Sequence, residues 1–249
     1  MKNVVVSGSF DNLRSPQVRF LEEAARLGPL RVLLWPDEMV RHLQGEMPKF
    51  SQSERMYILE SLRYVDGVTL CSGAVERDAL PLGDGPRPAI WVVDQSADTP
   101  AKRDYCRSQG LEYRVLRPAD LAGFPHEPAD ATETSPRKRV IVTGCYDWFH
   151  SGHARFFEEA SALGDLYAVV GHDANIEFLK GKGHPLYCEQ ERRYMVQSVR
   201  FVKQALISSG MGWLDAQPEI ERIKPDIYAV NEDGDRPEKR EYCLAHGIE

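Results

Sequence analysis

Several features are missing from this sequence, and each absence narrows what the chain could be. Its 249 residues include five cysteines, none of them in a C-x-x-C pair. A disulfide framework or a zinc site needs paired or closely spaced cysteines, so we expect reduced thiols. No apolar run approaches the roughly 18 residues of a membrane span. The N-terminus lacks the long apolar core and cleavage site of a signal peptide, and we expect a soluble, cytoplasmic protein.

An excess of basic charge is missing as well. The chain has 31 lysines and arginines against 38 aspartates and glutamates, a net charge of −7. Proteins that bind nucleic acids or anionic membranes normally present a basic face, so we expect neither partner. A small basic pocket for a phosphorylated ligand is compatible with this charge. Hydrophobic residues make up 42% of the chain, which is enough to build folded cores.

The sequence contains an internal duplication, which organises the rest of the interpretation. Residues 4–28 align with residues 140–164 and are identical at 12 of 25 positions. Two further pairs of segments follow in the same order: 54–65 with 191–202, identical at six of 12 positions, and 98–110 with 235–247, identical at seven of 13. Three ordered blocks with one single-residue shift indicate two copies of one domain. Residues that align between the copies are called counterparts below.

The duplication predicts a domain organisation. We expect a first domain over residues 1–117, a linker over 118–137 and a second domain over 138–249. The linker is rich in Pro, Ala, Asp and Thr and has no apolar periodicity, which is typical of an exposed connection. Because one chain holds both copies at high effective concentration, we expect an intramolecular pseudo-dimer that is monomeric or weakly oligomeric.

Each copy alternates strand and helix patterns. Val4–Val6 and Val140–Val142 are short apolar runs typical of strands buried on both faces. Apolar residues recur at helical spacing over 17–27 and 152–163, and a glycine follows each run. Further strands are predicted near 30–35 and 166–170, and near 89–93 and 226–230. This order predicts an α/β fold with two Rossmann-like, doubly wound parallel sheets, whose ligands bind at the carboxyl ends of the strands.

The loop after the first strand of the second copy carries the strongest functional pattern. It reads GCYDWFHSGH over residues 144–153 and leads directly into a helix. The free N–H groups and the positive dipole end of a helix N-terminus bind anions, and His150 and His153 would add donors for a phosphate. Gly152 would let the backbone approach a ligand closely. The alternative is structural: His150 caps the helix, and His153 is a hydrogen-bonded polar residue.

This loop resembles the HxGH signature of the nucleotidyltransferase superfamily. The resemblance covers the second copy from about residue 138, and it is greatest to the cytidylyltransferases that act on phosphoethanolamine, phosphocholine and glycerol 3-phosphate. The tandem arrangement is similar to that of the ethanolamine-phosphate cytidylyltransferases. Adenylyltransferases acting on heptose phosphate, phosphopantetheine or flavin mononucleotide share the signature.

The resemblance implies a set of site residues in the second copy. The implied catalytic residues are His150, His153, Lys180 and Arg192. The implied nucleotide-binding residues are Gly144, Cys145, Tyr146, Asp147, Gly152, Lys182, Asn231 and Asp233, and Asp173 and Lys180 would contact the second substrate. Three alternatives stay open: a solvated loop for Lys180 to Gly183, an ion pair for Arg192, and a helix N-cap for Asp173.

The resemblance also implies the reaction. A phosphate oxygen of a phosphorylated alcohol would attack the α-phosphorus of CTP, and pyrophosphate would leave. Mg²⁺ is expected with the triphosphate, and its protein ligands are not assigned. The alternatives are an adenylyltransferase that uses ATP and a non-catalytic nucleotide-binding regulatory module.

The first copy lacks the groups that would handle phosphate. The counterparts of the two histidines, Gly152 and the two lysines are Arg14, Gln17, Pro16, Gln44 and Glu46. Proline also removes an N–H donor from the helix start. We therefore expect a degenerate, inactive first domain.

The second copy departs from the family pattern in two places. Asn231-Glu232-Asp233-Gly234 stands where the glycerol-3-phosphate enzymes have a G-D-D-W-like segment, so the aromatic residue is missing. The family's R-T-x-G-I-S-T-T-like signature would follow Glu249. We therefore expect that the C-terminal end of the second domain is missing from this sequence.

Overall fold

The computed structural model describes residues 2–72, 76–81, 87–125 and 135–249, with only the backbone described for Asp233. The chain divides into two compact units, Met1–Gly123 and Phe124–Glu249. Two units that each contain a parallel sheet are consistent with the duplication. Residues 126–134, the middle of the predicted linker, lie outside the described residues.

The described part of the first unit is a five-stranded parallel sheet with helices in the crossover connections. The strand order is β3-β2-β1-β4-β5. Its elements are β1 (Val4–Gly8), α1 (Ser15–Ala25), β2 (Leu30–Leu34), α2 (Asp37–Gln44), α3 (Gln52–Glu60), β3 (Gly67–Leu70), β4 (Ile90–Asp94), α4 (Pro100–Gln109) and β5 (Glu112–Leu116).

The second unit repeats this order with a four-stranded parallel sheet, β8-β7-β6-β9. Its elements are β6 (Arg139–Gly144), α5 (Ser151–Ala162), β7 (Asp165–Val170), α6 (Asp173–Lys180), α7 (Glu189–Gln197), β8 (Val202–Ile207), α8 (Gln217–Ile223), β9 (Ile227–Tyr228) and α9 (Pro237–His246). Beyond α9, Glu249 exchanges backbone hydrogen bonds with Asp226 and Tyr228 beside β9. Its counterpart Glu112 begins β5.

The predicted strands and helices are confirmed with small shifts at their ends. Val4–Val6 and Val140–Val142 lie in the central strands, at most 2% exposed, because both faces of each sheet are covered. The largest difference is β9, which spans two residues instead of the predicted five.

Strand order changes direction beside β1 in the first unit and beside β6 in the second. In each sheet the chain first winds outward on one side of the central strand and then crosses to the other side. A crevice forms at the carboxyl ends of the strands where the order reverses, and ligands of open α/β sheets bind there. Each unit therefore has one such position, next to Gly8 in the first and Gly144 in the second.

The linker prediction needs one correction. Phe124 and Pro125, which we expected in an exposed connection, pack on the second unit. The ring of Phe124 stacks on the buried Tyr194 with centroids 5.2 Å apart, and Arg193 donates a 2.7 Å hydrogen bond to the Pro125 carbonyl oxygen. Aromatic burial of this kind outweighs the turn-rich composition of the neighbouring sequence.

No helix within the described ranges is long and apolar enough to cross a membrane.

Candidate active site

The candidate active site lies in the second unit, where the loop 145–150 joins β6 to α5. This loop leaves the carboxyl end of the central strand and ends at the N-terminus of α5. The first four N–H groups of an α-helix have no acceptor one turn earlier in the helix, and the helix dipole adds positive potential at this end. The loop is therefore placed where an anionic ligand is stabilised.

His150 is the N-cap residue of α5. Its Nδ1 accepts a 3.1 Å hydrogen bond from the Gly152 N–H, so the structural alternative describes part of its role correctly. A Cβ at position 152 would lie 2.9 Å from the His150 ring, which explains the glycine there. Because Nδ1 accepts, the proton of the neutral ring is on Nε2. Capping thus leaves His150 with an outward N–H donor at an exposed position.

His153 lies one turn further along α5, beside His150. The two imidazole centroids are 4.1 Å apart. The His153 ring stacks on Phe149 at 5.6 Å and meets the edge of Tyr146 at 5.4 Å. Packing against two buried aromatic rings fixes its orientation without removing it from the surface, because the residue stays partly exposed.

Tyr146 packs edge-on against His153. We expected Tyr146 and Gly144 to bind nucleotide, but the tyrosine is 5% exposed, and burial raises the pKa of its hydroxyl. Its backbone is left-handed, with φ of +52°, and its ring folds back over Gly144, where a Cβ would lie 2.8 Å away. Both residues therefore shape the loop, and nucleotide binding through their backbone stays a prediction.

Asp147 ties this loop to the loop that follows α6. Its carboxylate accepts hydrogen bonds of 2.8 Å from the Leu186 N–H and 3.0 Å from the Tyr187 N–H. Its counterpart Asp11 accepts from the N–H groups of Lys49 and Phe50 in the same way. A contact kept in both copies indicates a structural purpose, so Asp147 positions this loop, and its nucleotide binding stays a prediction.

Lys180 and Lys182 lie on the loop that Asp147 holds. Lys180 ends α6, and Gly181 follows with φ of +90° and open space around it. Both lysines are exposed, and no hydrogen bond or ion pair to either is present among the described residues. Two mobile cations next to flexible glycines can close on a phosphate, as the resemblance implies.

Arg192 does not have the position that we expected for a phosphate ligand. Its side chain is 1% exposed, and its guanidinium donates to the carbonyl oxygens of Tyr187 and Cys145 and to Asp173, at 2.8, 2.6 and 2.7 Å. These contacts occupy the fork of donors that would bind pyrophosphate. Arg192 therefore forms the ion pair that the structural alternative predicts, with Asp173 as its partner. The Cys145 carbonyl oxygen accepts one of the hydrogen bonds that hold the guanidinium.

The first unit repeats this arrangement around Arg55. Its guanidinium donates to the carbonyls of Phe50, Ser9 and Trp35 and to Asp37, the counterpart of Asp173. Since the first unit lacks the histidines, an ion pair common to both units stabilises the fold. Asp173 is the first residue of α6 and makes no capping hydrogen bond, so its N-cap alternative is wrong. Its side chain is 43% exposed, which leaves part of the carboxylate accessible to a substrate.

The last two predicted positions lie beyond β9. Asn231 is exposed and precedes the short turn Glu232–Gly234. The backbone of Asp233 lies in that turn. Both residues are near the carboxyl end of β9, where nucleotide binding remains a prediction.

Sequence reasoning missed a polar network at the ends of β7 and β8. The Ser208 hydroxyl donates to Asp215 at 2.7 Å and accepts from the His172 N–H at 3.0 Å, and His172 Nδ1 lies 3.3 Å away. The counterparts of His172 and Ser208 are Pro36 and Cys71, so the network is confined to the second unit. A comparison of the copies position by position would have found it.

Lys239 was also missed. Its Nζ donates to Thr143 Oγ1 at 3.2 Å and to the Gly234 carbonyl at 3.3 Å, and burial lowers the pKa of its amine. Its counterpart Lys102 donates to the Ala97 carbonyl at 2.6 Å, and burial lowers its pKa too. Both copies keep this lysine, which holds the last helix of each unit against a neighbouring segment. The shared contact indicates a structural role.

In the first unit, the positions of the histidines are occupied by a helix cap. Gln17 Oε1 accepts a 3.0 Å hydrogen bond from the Arg14 N–H, and Arg14 Nη2 donates to Asn12 at 2.7 Å. Pro16 lies at the start of α1. These groups occupy the helix N-terminus at the positions where the second unit presents two imidazoles.

The described residues do not offer a protein site for magnesium. They contain no group of three or more His, Cys, Asp or Glu side chains placed to hold a metal ion. The carboxylates of Asp147 and Asp173 are engaged by N–H groups and by Arg192. Binding of Mg²⁺ together with the triphosphate stays a prediction.

Several known proteins are similar to part of this chain. The cytidylyltransferase-like family model matches residues 141–240. The chain is 38% identical over 97 residues to FAD synthase of Ferroglobus placidus, covering 39% of this chain and 60% of that protein. It is 38% identical over 113 residues to FAD synthase of Aciduliprofundum boonei, covering 44% of this chain and 72% of that protein. It is 30% identical over 105 residues to bifunctional protein HldE of Helicobacter pylori, covering 42% of this chain and 22% of that protein.

The histidine pair at a helix N-terminus of a parallel α/β domain places the chain among the nucleotidyltransferases with the HxGH signature. The chain belongs to the cytidylyltransferase-like family.

Proposed function

We propose that the second unit transfers a nucleoside monophosphate from a triphosphate, ATP in preference to CTP, to the phosphate of a small molecule, with release of pyrophosphate. The observation that carries this proposal is the paired imidazoles of His150 and His153 at the start of α5, 4.1 Å apart. The first unit, which has the same fold elements, has a closed helix cap at these positions.

The chemistry needs alignment more than proton transfer. An oxygen of the acceptor phosphate forms a bond to the α-phosphorus, and the bond from the α-phosphorus to the bridging oxygen of the pyrophosphate group breaks. The acceptor phosphate is already anionic near neutral pH, so no general base is required. Negative charge grows on the leaving pyrophosphate and on the oxygens around the α-phosphorus, and fixed donors stabilise it there.

The chain supplies those donors in two groups. The outward Nε2–H of His150, the neighbouring His153 and the N-terminus of α5 lie on one side. Lys180 and Lys182 lie on the loop that the Asp147 carboxylate holds against the α5 loop. The rigid group would stabilise the transition state, whereas the mobile lysines would close on bound phosphates.

The choice of ATP rests on the relatives. Two of those compared above are named FAD synthase, and because FAD contains an adenylyl group, these relatives support ATP over the CTP that we expected. Transfer from CTP to phosphoethanolamine or glycerol 3-phosphate was our expectation from the tandem arrangement. It is kept as the second candidate because the family model is named cytidylyltransferase-like.

The first prediction separates these nucleotides. Pyrophosphate release is measured with ATP and with CTP against a panel of flavin mononucleotide, sugar phosphates, phosphoethanolamine and glycerol 3-phosphate. We expect kcat/KM for ATP to exceed that for CTP by at least about tenfold with the best acceptor. Faster turnover with CTP would reverse the nucleotide assignment, and no turnover with any pair would favour the non-catalytic alternative.

The second prediction concerns the lysines. Lys180→Gln and Lys182→Glu introduce the residues of the first unit, Gln44 and Glu46, into the second. Because the lysines bind phosphates in the ground state as well, we expect KM for the nucleotide to rise by about tenfold or more in each variant, and melting temperature to change little, since both side chains are exposed. The reciprocal changes Gln44→Lys and Glu46→Lys serve as controls and should leave KM unchanged. Unaltered KM in the first pair would mean that the loop is only solvated.

The pairing of the two copies as an intramolecular pseudo-dimer remains a prediction from the duplication, as does the inactivity of the first copy.

A further inference from the structure

The first unit contains a large cavity although it lacks the histidines of the second unit. It has a volume of about 810 Å³ and lies at the carboxyl ends of β1 and β4, from Ser7 and Gly8 on one strand to Asp94 on the other. This is the position where strand order reverses in the sheet. Its size falls within the range of about 300–1,000 Å³ typical of small-molecule sites.

The walls of the cavity are suited to a planar ring. Phe10, Phe20, Trp35 and Trp91 all contribute to its lining. Two of them are anchored: the Trp35 indole donates to Ser7 at 2.8 Å, and the Trp91 ring packs edge-on against Tyr105 at 5.9 Å. Anchored aromatic side chains form a surface on which a heterocycle can stack without first being ordered.

Polar side chains also line the cavity. Asp94 ends β4, Gln95 and Ser96 follow it, and Arg77 and Lys102 line the same cavity. The Trp91 indole N–H is buried and has no acceptor among the described residues. A buried donor without an acceptor is costly, and a ligand or an ordered water at this wall would satisfy it.

The phosphate end of the cavity is closed. Gln17 seals the start of α1 by accepting from Arg14, and Pro16 offers no N–H donor. Gln44, the counterpart of Lys180, donates to Ser9 at 3.3 Å, and Glu46 adds negative charge where Lys182 stands in the second copy. The histidine pair and the two lysines that would hold a triphosphate in the second copy are therefore replaced here, and Arg77 and Lys102 are the cations that remain in the lining.

We propose that the first unit binds a nucleoside, with at most one phosphate, in this cavity and does not transform it. The nucleoside class follows from the counterpart relation: the cavity corresponds to the crevice of a unit whose family transfers nucleotides. The aromatic side chains of the cavity would bind the heterocycle. The replaced groups at the start of α1 would disfavour a triphosphate. The site is separate from the one that carries the proposed reaction.

The four tryptophans of the chain allow a test that reports each unit by itself. Trp35 and Trp91 line the cavity, whereas Trp148 and Trp213 belong to the second unit. The full-length protein is labelled with 5-fluorotryptophan, and each ¹⁹F signal is assigned with a Trp→Phe variant. Adenosine, cytidine, AMP and metal-free ATP are then titrated. We expect a nucleoside or its monophosphate to shift the Trp35 and Trp91 signals saturably, and ATP to bind there at least about tenfold more weakly.

Ala97→Trp is the blocking variant. Ala97 lines the cavity, and only its backbone atoms hydrogen-bond to Asp94 and Lys102, so a large side chain would fill the space without removing those contacts. We expect its apparent Kd for the nucleoside to rise at least about tenfold, with turnover by the second unit unchanged. Ala97→Ser is the matched control and should bind as the unaltered protein does. If Ala97→Trp does not fold, Leu121→Trp fills the cavity from the other side.

Two results would overturn the proposal: Trp35 and Trp91 signals that do not respond to any of these ligands, and a blocking variant that folds and binds with unchanged affinity. Failure of the proposed reaction would be seen separately. A His150→Ala/His153→Ala protein should lose turnover and keep the Trp35 and Trp91 response.

Discussion

Replacing His150 or His153 with alanine is expected to lower kcat by about 10²–10³-fold, the usual effect of losing one fixed donor to a transition state. Nucleotide affinity should change much less, because the helix N-terminus and the lysines still hold the triphosphate. Single-turnover rates and equilibrium nucleotide binding, measured on the same preparations, separate the two effects.

His150 needs a sharper control because its ring also caps α5. An alanine there removes the hydrogen bond from Gly152 and is expected to destabilise the unit by about 1 kcal/mol. Asparagine is a preferred N-cap, so His150→Asn should restore the melting temperature. It places no donor where Nε2–H was, so turnover should stay low. Recovery of both quantities in His150→Asn would show that His150 acts only as a cap.

His153 has an equivalent control. His153→Phe keeps an aromatic ring against Phe149 and Tyr146 and removes both ring nitrogens. We expect it to be near normal in stability and as slow as His153→Ala. Arg14→Ala and Gln17→Ala, at the counterpart positions of the first unit, should leave turnover unchanged. Normal turnover per folded molecule in His153→Phe would remove His153 from the catalytic site.

The central strands and helices could be predicted from local sequence because their signals are local. A run such as Val140–Val142 is buried whatever its distant neighbours are, and a glycine after a helical pattern ends the helix. Because most elements occur in both copies, the prediction for one copy could be compared with that for the other. Two other features could not be predicted locally. The edge strand β9 retains two of its five expected residues, and Phe124 packs on Tyr194 although the composition around it is typical of a linker.

The candidate site could be predicted in outline but not in the assignment of each side chain. The histidines and lysines were found because their spacing is distinctive. The structural roles of Asp147 and Tyr146 were missed because they depend on the backbone of Leu186 and on a left-handed φ, neither of which sequence spacing shows. Comparison of the two copies could have corrected part of this, since Asp11 stands in the place of Asp147 in a unit without the histidines.

Arg192 gives the sharpest test of the argument that a contact present in both copies is structural. Arg192→Met leaves the carbonyl oxygens of Tyr187 and Cys145 without their donor and Asp173 without its partner. Buried acceptors that lose a donor cost about 1–3 kcal/mol each, and the exposed part of Asp173 can be solvated, so we expect a loss of about 2–5 kcal/mol in the stability of the second unit.

The counterpart substitution Arg55→Met should destabilise the first unit by a similar amount, because its guanidinium makes the same contacts with Phe50, Ser9 and Asp37. Urea unfolding of the fluorotryptophan-labelled protein measures the units separately, through Trp148 and Trp213 for the second and Trp35 and Trp91 for the first. Arg192→Lys should also destabilise, since an ammonium group cannot reach acceptors in three directions as the planar fork does. If Arg192→Met unfolds at the normal urea concentration but loses kcat/KM, the guanidinium binds pyrophosphate during turnover, and the structural assignment is wrong. If both arginine variants weaken their own unit alike, the ion pair belongs to the shared architecture, and the histidines and lysines carry the difference between the two copies.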